Sequence, residues 1–96
     1  MIRSFGDAAT AEIYRGEDTR RARSIPKRLW PVVRRKLDAI HRARSLNDLR
    51  WPAGNRLETL RGDRAGTISI RVNDPYRVTF RLEEGHAYDV TCEDYH

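Results

Sequence analysis

The sequence predicts an α+β fold in which two N-terminal helices pack on one face of a mostly antiparallel sheet of four to five strands. Two observations favour this fold class. Apolar residues in the first half of the chain recur at helical spacing, and those in the second half alternate with polar residues, as in strands. The chain has 96 residues, the length of one domain, so residues 1–96 are interpreted as a single domain.

The first half contains two candidate helices. Asp7 can cap a short helix over roughly 8–16, and Gly16 would end it. A second helix should follow Pro26, and Pro31 either kinks it or marks the start of its regular part. Its apolar face is formed by Leu29, Val33, Leu37 and Ile40. The basic residues of this segment fall mostly off that face, namely Arg28, Arg34, Arg35, Lys36 and Arg42.

The second half contains four candidate strands. They are expected over Arg56–Arg61, Thr67–Asn73, Tyr76–Leu82 and approximately 86–93. The opening segment Ile2–Phe5 could add an edge strand. The helix–strand link at 45–48 has the spacing of a capping box, and residues 51–56 are interpreted as a loop from their Pro and Gly. In the last strand, we expect Tyr88, Val90 and Cys92 to share the core face.

The helices should leave the opposite face of the sheet open. This face would carry Arg71, Arg77 and Arg81, interleaved with Ser69, Asn73 and Thr79. Arginines on adjacent strands repel one another unless an anion lies between them. The pattern therefore favours a polyanion-binding face, although an exposed sheet face is polar for structural reasons as well.

The charge of the chain also indicates a polyanionic partner. It has 17 arginines and 2 lysines against 14 acidic residues, a net charge of +5. Residues 1–50 carry a net +7 and residues 51–96 a net −2. An arginine-rich but merely solvated surface would explain the same composition.

Several classes of protein are disfavoured by the sequence. No apolar run approaches the roughly 18 residues of a membrane span, and the N-terminus has no apolar signal region. A single cysteine, Cys92, leaves no intramolecular disulfide and no multi-cysteine zinc site. We expect a soluble, cytoplasmic protein with no metal, no cofactor and no membrane partner.

Several segments together resemble a known toxin family. Asn55–Asn73 contains the run Leu60-Arg61-Gly62-Asp63-Arg64-Ala65-Gly66, and the sequence closes with Glu93-Asp94-Tyr95-His96. These segments, with Ile2–Phe5, Ser45–Leu49 and Tyr76–Phe80, resemble the HigB toxins, or plasmid-maintenance killer proteins, of the RelE/ParE superfamily. The resemblance runs nearly end to end, and it implies the same two-helix, antiparallel-sheet fold.

The resemblance also implies a function. HigB-like proteins are toxins of type II toxin–antitoxin systems, and they act as ribosome-dependent endonucleases that cut mRNA in the ribosomal A site. The expected partners are the 70S ribosome with its mRNA and a HigA-like antitoxin with a helix-turn-helix domain. Operator DNA would be bound only through the antitoxin complex.

The residues present suit RNA cleavage without a metal. Attack by the substrate's own 2′-OH needs a base, an acid and positive charge on the phosphate. The candidate catalytic residues are His96, Asp94, Tyr95, Arg61 and Arg77. The candidate RNA- and phosphate-binding residues are Arg64, Arg71, Arg81 and Asn73. Which of the terminal residues is acid or base stays open. Many family members have lysine where Arg61 stands, so proton donation here would rely more on His96.

Two other functions remain open. One is a ParE-like toxin that poisons DNA gyrase, although that branch lacks the terminal acid–Tyr–His cluster. The other is a non-catalytic RNA- or DNA-binding module that uses the arginines alone. Trp30 and Trp51 are assigned to the core or to an antitoxin interface, with base stacking as the alternative.

Overall fold

The computed structural model describes residues 1–95, so the predicted site residue His96 lies outside the described residues. The two helices are α1 (Ala8–Tyr14) and α2 (Trp30–Arg42). The four strands are β1 (Glu58–Thr59), β2 (Thr67–Arg71), β3 (Tyr76–Glu83) and β4 (His86–Asp94). They form one sheet in the order β1-β2-β3-β4, with every neighbouring pair antiparallel. The predicted fold class is confirmed.

Helix α1 begins as predicted and ends slightly earlier. The side chain of Asp7 accepts a hydrogen bond of 2.9 Å from the backbone N–H of Thr10, which satisfies one of the free donors of the first turn. The helix ends at Tyr14, and Gly16 adopts a φ of +80° just beyond it. A residue with a left-handed backbone conformation commonly ends a helix, and glycine is favoured there because it adopts a positive φ without steric cost.

Helix α2 begins at Trp30, and Pro31 occupies its first turn. Of the two alternatives for Pro31, the start of the regular helix is therefore correct. Backbone N–H groups of the first turn have no acceptor within the helix, so the missing N–H of proline breaks no hydrogen bond there. A separate 3₁₀ turn over Lys27–Leu29 precedes it. The prediction that Lys36 lies off the apolar face is wrong, because its side chain is 9% exposed and points inward beside Val33 and Leu37.

Strand β4 is interrupted by a bulge that changes which residues face the core. Asp89 has a φ of +55°, and the pairing of β4 with β3 shifts register opposite it. Ala87, Val90 and Cys92 are therefore buried. The predicted core position of Tyr88 is wrong, because the bulge turns its ring to the other face.

The edge of the sheet beside β4 is covered by the N-terminal segment. Ile2 pairs with Ala87 and Phe5 with Val90, both in parallel. The predicted edge strand is thus present as two isolated bridges. At the opposite edge, β1 is shorter than the expected Arg56–Arg61, because Arg56 adopts a left-handed φ of +44°.

The core lies between the helices and one face of the sheet. Its largest fully buried members come from both layers: Phe80, Ile13, Leu37, Ile40, Leu49 and Ile70. Burial of such side chains contributes roughly 1.5–3 kcal/mol each. Over residues 1–95, no helix is both long and apolar enough to span a membrane.

The second face of the sheet is open only in part: Arg81 is exposed and Arg71 and Asn73 are half-buried, but the centre of the face is covered, contrary to the prediction. Ser69, Arg77 and Thr79 are 0%, 7% and 2% exposed. The backbone of Arg56 crosses this face and accepts a hydrogen bond from Arg77, while the side chain of Arg64 reaches Thr79. The segments before and after β1 therefore cover Ser69, Arg77 and Thr79, which the alternation of the strands alone predicts to be exposed.

The segment before β1 is fixed by a buried polar pair. The ammonium of Lys36 donates a hydrogen bond to the side-chain oxygen of Asn55, which is itself 1% exposed. The side-chain NH₂ of Asn55 donates in turn to the carbonyl of Leu49 at 3.0 Å and to that of Trp51 at 3.3 Å. Burial lowers the pKa of Lys36.

We expect Asn55→Ala to lower the free energy of unfolding by about 1–3 kcal/mol, because it leaves a buried ammonium and two carbonyls without their partner. Urea unfolding followed by circular dichroism would measure the change. Asn47→Ala, in the exposed 3₁₀ turn over Leu46–Leu49, is the matched control and should change stability by less than about 0.5 kcal/mol. Equal losses in the two variants would contradict this role for Asn55.

Candidate active site

The C-terminal end of β4 borders an open pocket of about 370 Å³. The other wall is the turn between β1 and β2, which contains a 3₁₀ helix over Gly62–Arg64. The lining residues are Leu60, Arg61, Arg64, Glu93, Asp94 and Tyr95. Four of the predicted site residues, from two separate segments of the sequence, therefore lie around one pocket.

Arg64 is held in this pocket by Glu93. Two nitrogens of its guanidinium each donate a hydrogen bond of 2.8 Å to the two carboxylate oxygens. The hydroxyl of Thr79 donates to the same carboxylate at 2.5 Å. The hydrogen bond with Arg64 lowers the pKa of Glu93, and the same contact raises the pKa of Arg64. Such a bidentate pair fixes the plane of the guanidinium.

Arg77 lies beneath the pocket rather than in its lining. Its guanidinium donates to the hydroxyl and the carbonyl of Ser69 and, at 2.6 Å, to the carbonyl of Arg56. The ring of Tyr95 lies over it, with 5.5 Å between the ring centre and the guanidinium carbon. This is the geometry of a cation–π contact, so Arg77 supports Tyr95 from below.

Arg61 and Asp94 occupy opposite sides of the same pocket. Arg61 is exposed, and no ion pair joins it to another residue in the described part of the chain. Its guanidinium is therefore available to an anion. Asp94 is exposed at the last position of β4, where it precedes Tyr95.

Three other predicted site residues lie outside this pocket. Arg71 pairs with Asp74 at 2.5 Å, and Arg81 pairs with both Asp89 and Glu83. Asn73 accepts a hydrogen bond of 2.8 Å from the backbone N–H of Tyr76 and so shapes the turn between β2 and β3. The expected repulsion on this face is thus relieved by carboxylates within the chain.

Glu93 is the pocket residue that sequence reasoning missed. It belongs to the closing run that carries the family resemblance, but only Asp94, Tyr95 and His96 were assigned a role there. Its signal was its position opposite Arg77 in the strand pairing. That position puts it on the arginine-bearing face, where an acid pairs with a neighbouring arginine.

The arrangement is suited to binding a phosphate. The guanidiniums of Arg61 and Arg64 line the pocket together with the carboxylates of Glu93 and Asp94. Arg64 is already paired with Glu93, so Arg61 is the guanidinium that can bind phosphate oxygens through paired hydrogen bonds without losing an ion pair. Cys92 is not a nucleophile, because burial raises its pKa to about 12. Among residues 1–95, no group of three or more His, Cys, Asp or Glu side chains could hold a metal ion.

Solved structures share this fold. A YoeB–YefM complex from Staphylococcus aureus contains a chain that matches with a TM-score of 0.63 and 17% identity, covering 100% of this chain and 99% of that one. A YoeB/ParE toxin from Agrobacterium tumefaciens matches with a TM-score of 0.58 and 16% identity, covering 98% and 99%. At these identities the likeness defines the class of fold, that of the YoeB- and ParE-type toxins.

Sequence relatives define the family within that class. The family model described as the RelE-like toxin of type II toxin–antitoxin system HigB matches residues 3–96. Toxin HigB-1 of Vibrio cholerae is 40% identical over 87 residues, 91% of this chain and 90% of that protein. Endoribonuclease HigB of Proteus vulgaris is 38% identical over 96 residues, all of both chains. The chain belongs to the HigB-like family of type II toxins, as the resemblance predicted.

We expect the ion pair between Arg64 and Glu93 to make stability depend on pH in acid. The pKa of Glu93 is below its ordinary value of 4.5 in the folded chain, so the pair stabilises the fold fully above that pH. This contribution is lost as the pH falls through the lower folded-state pKa. Urea unfolding between about pH 3 and 6 should show a shallower decline for Glu93→Gln than for the unchanged protein.

Glu84→Gln is the control for this measurement. Glu84 is exposed in the turn between β3 and β4, and its replacement removes the same single charge. The decline should keep its slope in this variant. A slope changed equally by both substitutions would show that total charge, not the pair with Arg64, sets the acid sensitivity.

Proposed function

We propose that this chain is an endoribonuclease that cuts mRNA on the ribosome and so inhibits translation and growth. The proposal depends mainly on one observation, the pocket described above. The turn between β1 and β2 supplies Arg61 and Arg64 to it, and the C-terminal end of β4 supplies Asp94 and Tyr95. The relative named Endoribonuclease HigB, 38% identical over the whole chain, supports RNA as the substrate.

The proposed chemistry is attack by the 2′-OH of the RNA on the adjacent phosphate, which forms a 2′,3′-cyclic phosphate and breaks the bond from phosphorus to the 5′-oxygen of the next nucleotide. A base takes the proton of the 2′-OH, and an acid protonates the leaving 5′-oxygen. Arg61 and Arg64 would bind the phosphate and balance the charge that builds up on it in the transition state. Arginine stays protonated at neutral pH, so neither residue serves as the base. The proton transfers would fall to Asp94 and His96, whose imidazole has an ordinary pKa near 6.5. No step in this scheme needs a metal or a cofactor.

Tyr95 and Arg77 have linked roles in this proposal. The ring of Tyr95 is 42% exposed, so one face can stack on a base while the other rests on Arg77. Arg77 would add positive charge beneath the phosphate and hold the ring in place. Its burial means that its removal also alters the fold, so Arg77 alone is a poor test of catalysis.

Arg71, Arg81 and Asn73 are proposed as peripheral RNA contacts. The two arginines would exchange their carboxylate partners Asp74 and Asp89 for phosphates of the strand. Each exchange gives up an existing ion pair, so these contacts add less affinity than Arg61, which breaks none.

The proposed partners follow from the family and the charge. A structural neighbour is a toxin–antitoxin complex, and we propose that a HigA-like helix-turn-helix antitoxin silences this chain. Operator DNA would be bound only through that complex. The net +7 of residues 1–50 would attract ribosomal RNA or an acidic antitoxin surface.

The direct test maps the 5′ ends of mRNA in a cytoplasmic translating extract with and without the protein. We expect new ends in register with codons in the reaction whose ribosomes keep their bound Mg²⁺. These ends should disappear when ribosomes are omitted. Cleavage of naked mRNA would contradict ribosome dependence. No cleavage together with trapped gyrase–DNA complexes would favour the ParE-like activity, and RNA binding without cleavage would favour a non-catalytic module.

Substitutions in the pocket should separate chemistry from folding. We expect Arg61→Ala to slow cleavage by about 10²–10³-fold, because it removes one fixed charge from the transition state. We expect His96→Ala to slow it by about 10²–10⁴-fold through lost proton transfer. Single-turnover cleavage on programmed ribosomes would measure both rates.

Arg28→Ala is the matched control for Arg61→Ala. Arg28 is exposed in the turn before α2, and its removal takes away the same charge. The control should cleave at the unchanged rate, and all three variants should unfold at the same urea concentration as the unchanged protein. A folded Arg61→Ala variant that cleaves at full rate would overturn the assignment of this pocket.

A further inference from the structure

Trp51 is the most exposed of the large apolar side chains in residues 1–95. Its side chain is 78% exposed, whereas Trp30 is 3% exposed in the core. Trp30 therefore lies in the core and Trp51 does not, so the antitoxin interface and base stacking are the predicted settings left for Trp51. Exposing an apolar indole to water costs free energy, and a partner that covers the ring would recover it.

The exposure of Trp51 comes from a fixed backbone. The carbonyl of Trp51 accepts a hydrogen bond from the side chain of Asn55, which the ammonium of Lys36 holds from within the fold. Leu49, two residues before the indole, is buried in the core. A ring presented on an anchored loop loses little conformational freedom when it binds.

Few large apolar side chains are exposed in residues 1–95. Only Met1, Trp51 and Tyr95 belong to this class in the described chain. Along the sequence, Trp51 lies between the exposed residues Arg50 and Pro52, and the small residues Ala53 and Gly54 follow. A protein partner docks on a contiguous apolar surface, whereas a single exposed ring is sufficient to stack on a base.

The charge around this loop is positive. Arg44, Arg50 and Arg56 are exposed, and no ion pair within residues 1–95 engages them. The one acid between them, Asp48, accepts hydrogen bonds from the backbone N–H groups of Arg44 and Ser45. The guanidiniums of Arg50 and Arg56 therefore favour an anionic partner such as the phosphates of RNA.

The loop is connected to the pocket through Arg56. Its carbonyl accepts a hydrogen bond of 2.6 Å from Arg77, and Tyr95 lies on the other side of that guanidinium. The loop that presents Trp51 is therefore continuous with the support of the pocket ring. The link runs along the backbone: the carbonyl of Arg56 accepts from the guanidinium beneath Tyr95, and the preceding residue, Asn55, holds the carbonyl of Trp51.

We propose that Trp51, Arg50 and Arg56 form a second binding site for single-stranded RNA, in which a base flanking the cut phosphate stacks on the indole. This proposal rests on the function proposed above, because it takes the strand in the pocket to be RNA. The two arginines contact the phosphates on either side of the stacked base. The site contributes to binding of the strand and takes no part in proton transfer.

The test uses the fluorescence of the two tryptophans with a short single-stranded 2′-O-methyl RNA, which lacks the attacking hydroxyl. Stacking should quench the exposed indole of the unchanged protein as RNA is added. Trp51→Phe keeps the buried Trp30 as its only indole, so its emission should stay constant. Binding by variants without Trp51 is measured by the fluorescence polarisation of an end-labelled RNA of the same sequence. We expect Trp51→Ala to weaken binding by about 5- to 100-fold and Trp51→Phe to weaken it less.

Charge variants provide the matched comparison. Arg50→Glu should weaken RNA binding and make it less dependent on salt. Arg20→Glu, in the exposed segment between the helices, changes the net charge equally, removes no proposed contact of the loop, and should weaken RNA binding less than Arg50→Glu does. Equal losses in both variants would show that net charge alone governs binding and would overturn the site.

The outcomes also separate this site from the proposed function. If the unchanged protein cuts mRNA in a translating extract while RNA leaves Trp51 unquenched, the second site is wrong and the endonuclease stands. If an acidic peptide quenches Trp51 and RNA does not, the loop is a protein interface. If the extract shows no cleavage at all, the proposed function fails, whatever the fluorescence shows.

Discussion

The guanidinium of Arg77 lies almost entirely out of water on the sheet face opposite the helices. A buried cation is stable only when hydrogen bonds replace the water it has lost. Ser69 on β2 supplies two acceptors and the backbone of Arg56 supplies the third. Because these acceptors come from different segments, burial of one charge fixes β3, β2 and the chain before β1 relative to one another.

The pocket depends on this arrangement from two sides. Tyr95 gains its position by lying over the Arg77 guanidinium, and the carbonyl of Arg56 is in place because Asn55 is held by Lys36. Helix α2 thus reaches the pocket through a chain of polar contacts and supplies no side chain to it. A substitution in the helical half can therefore alter the pocket while leaving all of its lining residues intact.

Sequence pattern predicted the elements well where one face of an element was simply buried. The helical spacing of Val33, Leu37 and Ile40 and the alternation of Ile68, Ile70, Val78 and Phe80 each mark a core face, and those residues are buried. Pattern failed where a single backbone torsion overrides it. The left-handed residue Asp89 sends Tyr88 out of the core, and no neighbouring residue type signals that torsion.

The positions of the predicted site residues were only partly predictable from the sequence. The family resemblance named Arg61, Arg64, Asp94 and Tyr95, and the structure brings these four to one pocket. It could not indicate that Arg64 is held by Glu93 or that Arg77 is buried, because both facts depend on segments far apart in sequence. Polar residues on a sheet face are exposed only where no other segment of the chain covers that face, and strand pattern alone does not show which segments do.

The same contacts leave uncompensated arginines in a net-acidic half of the chain. Residues 51–96 have a net charge of −2, yet the ion pairs of this half in the described chain engage only Arg64, Arg71 and Arg81. Within residues 1–95, Arg56, Arg61 and Arg77 have no carboxylate partner. Arg61 lines the pocket, and Arg77 lies beneath the ring of Tyr95. Local potential follows the uncompensated charges and not the sum over the sequence. Within the pocket Glu93 pairs with Arg64, so the positive charge left for a phosphate is that of Arg61 in the lining and of Arg77 beneath it.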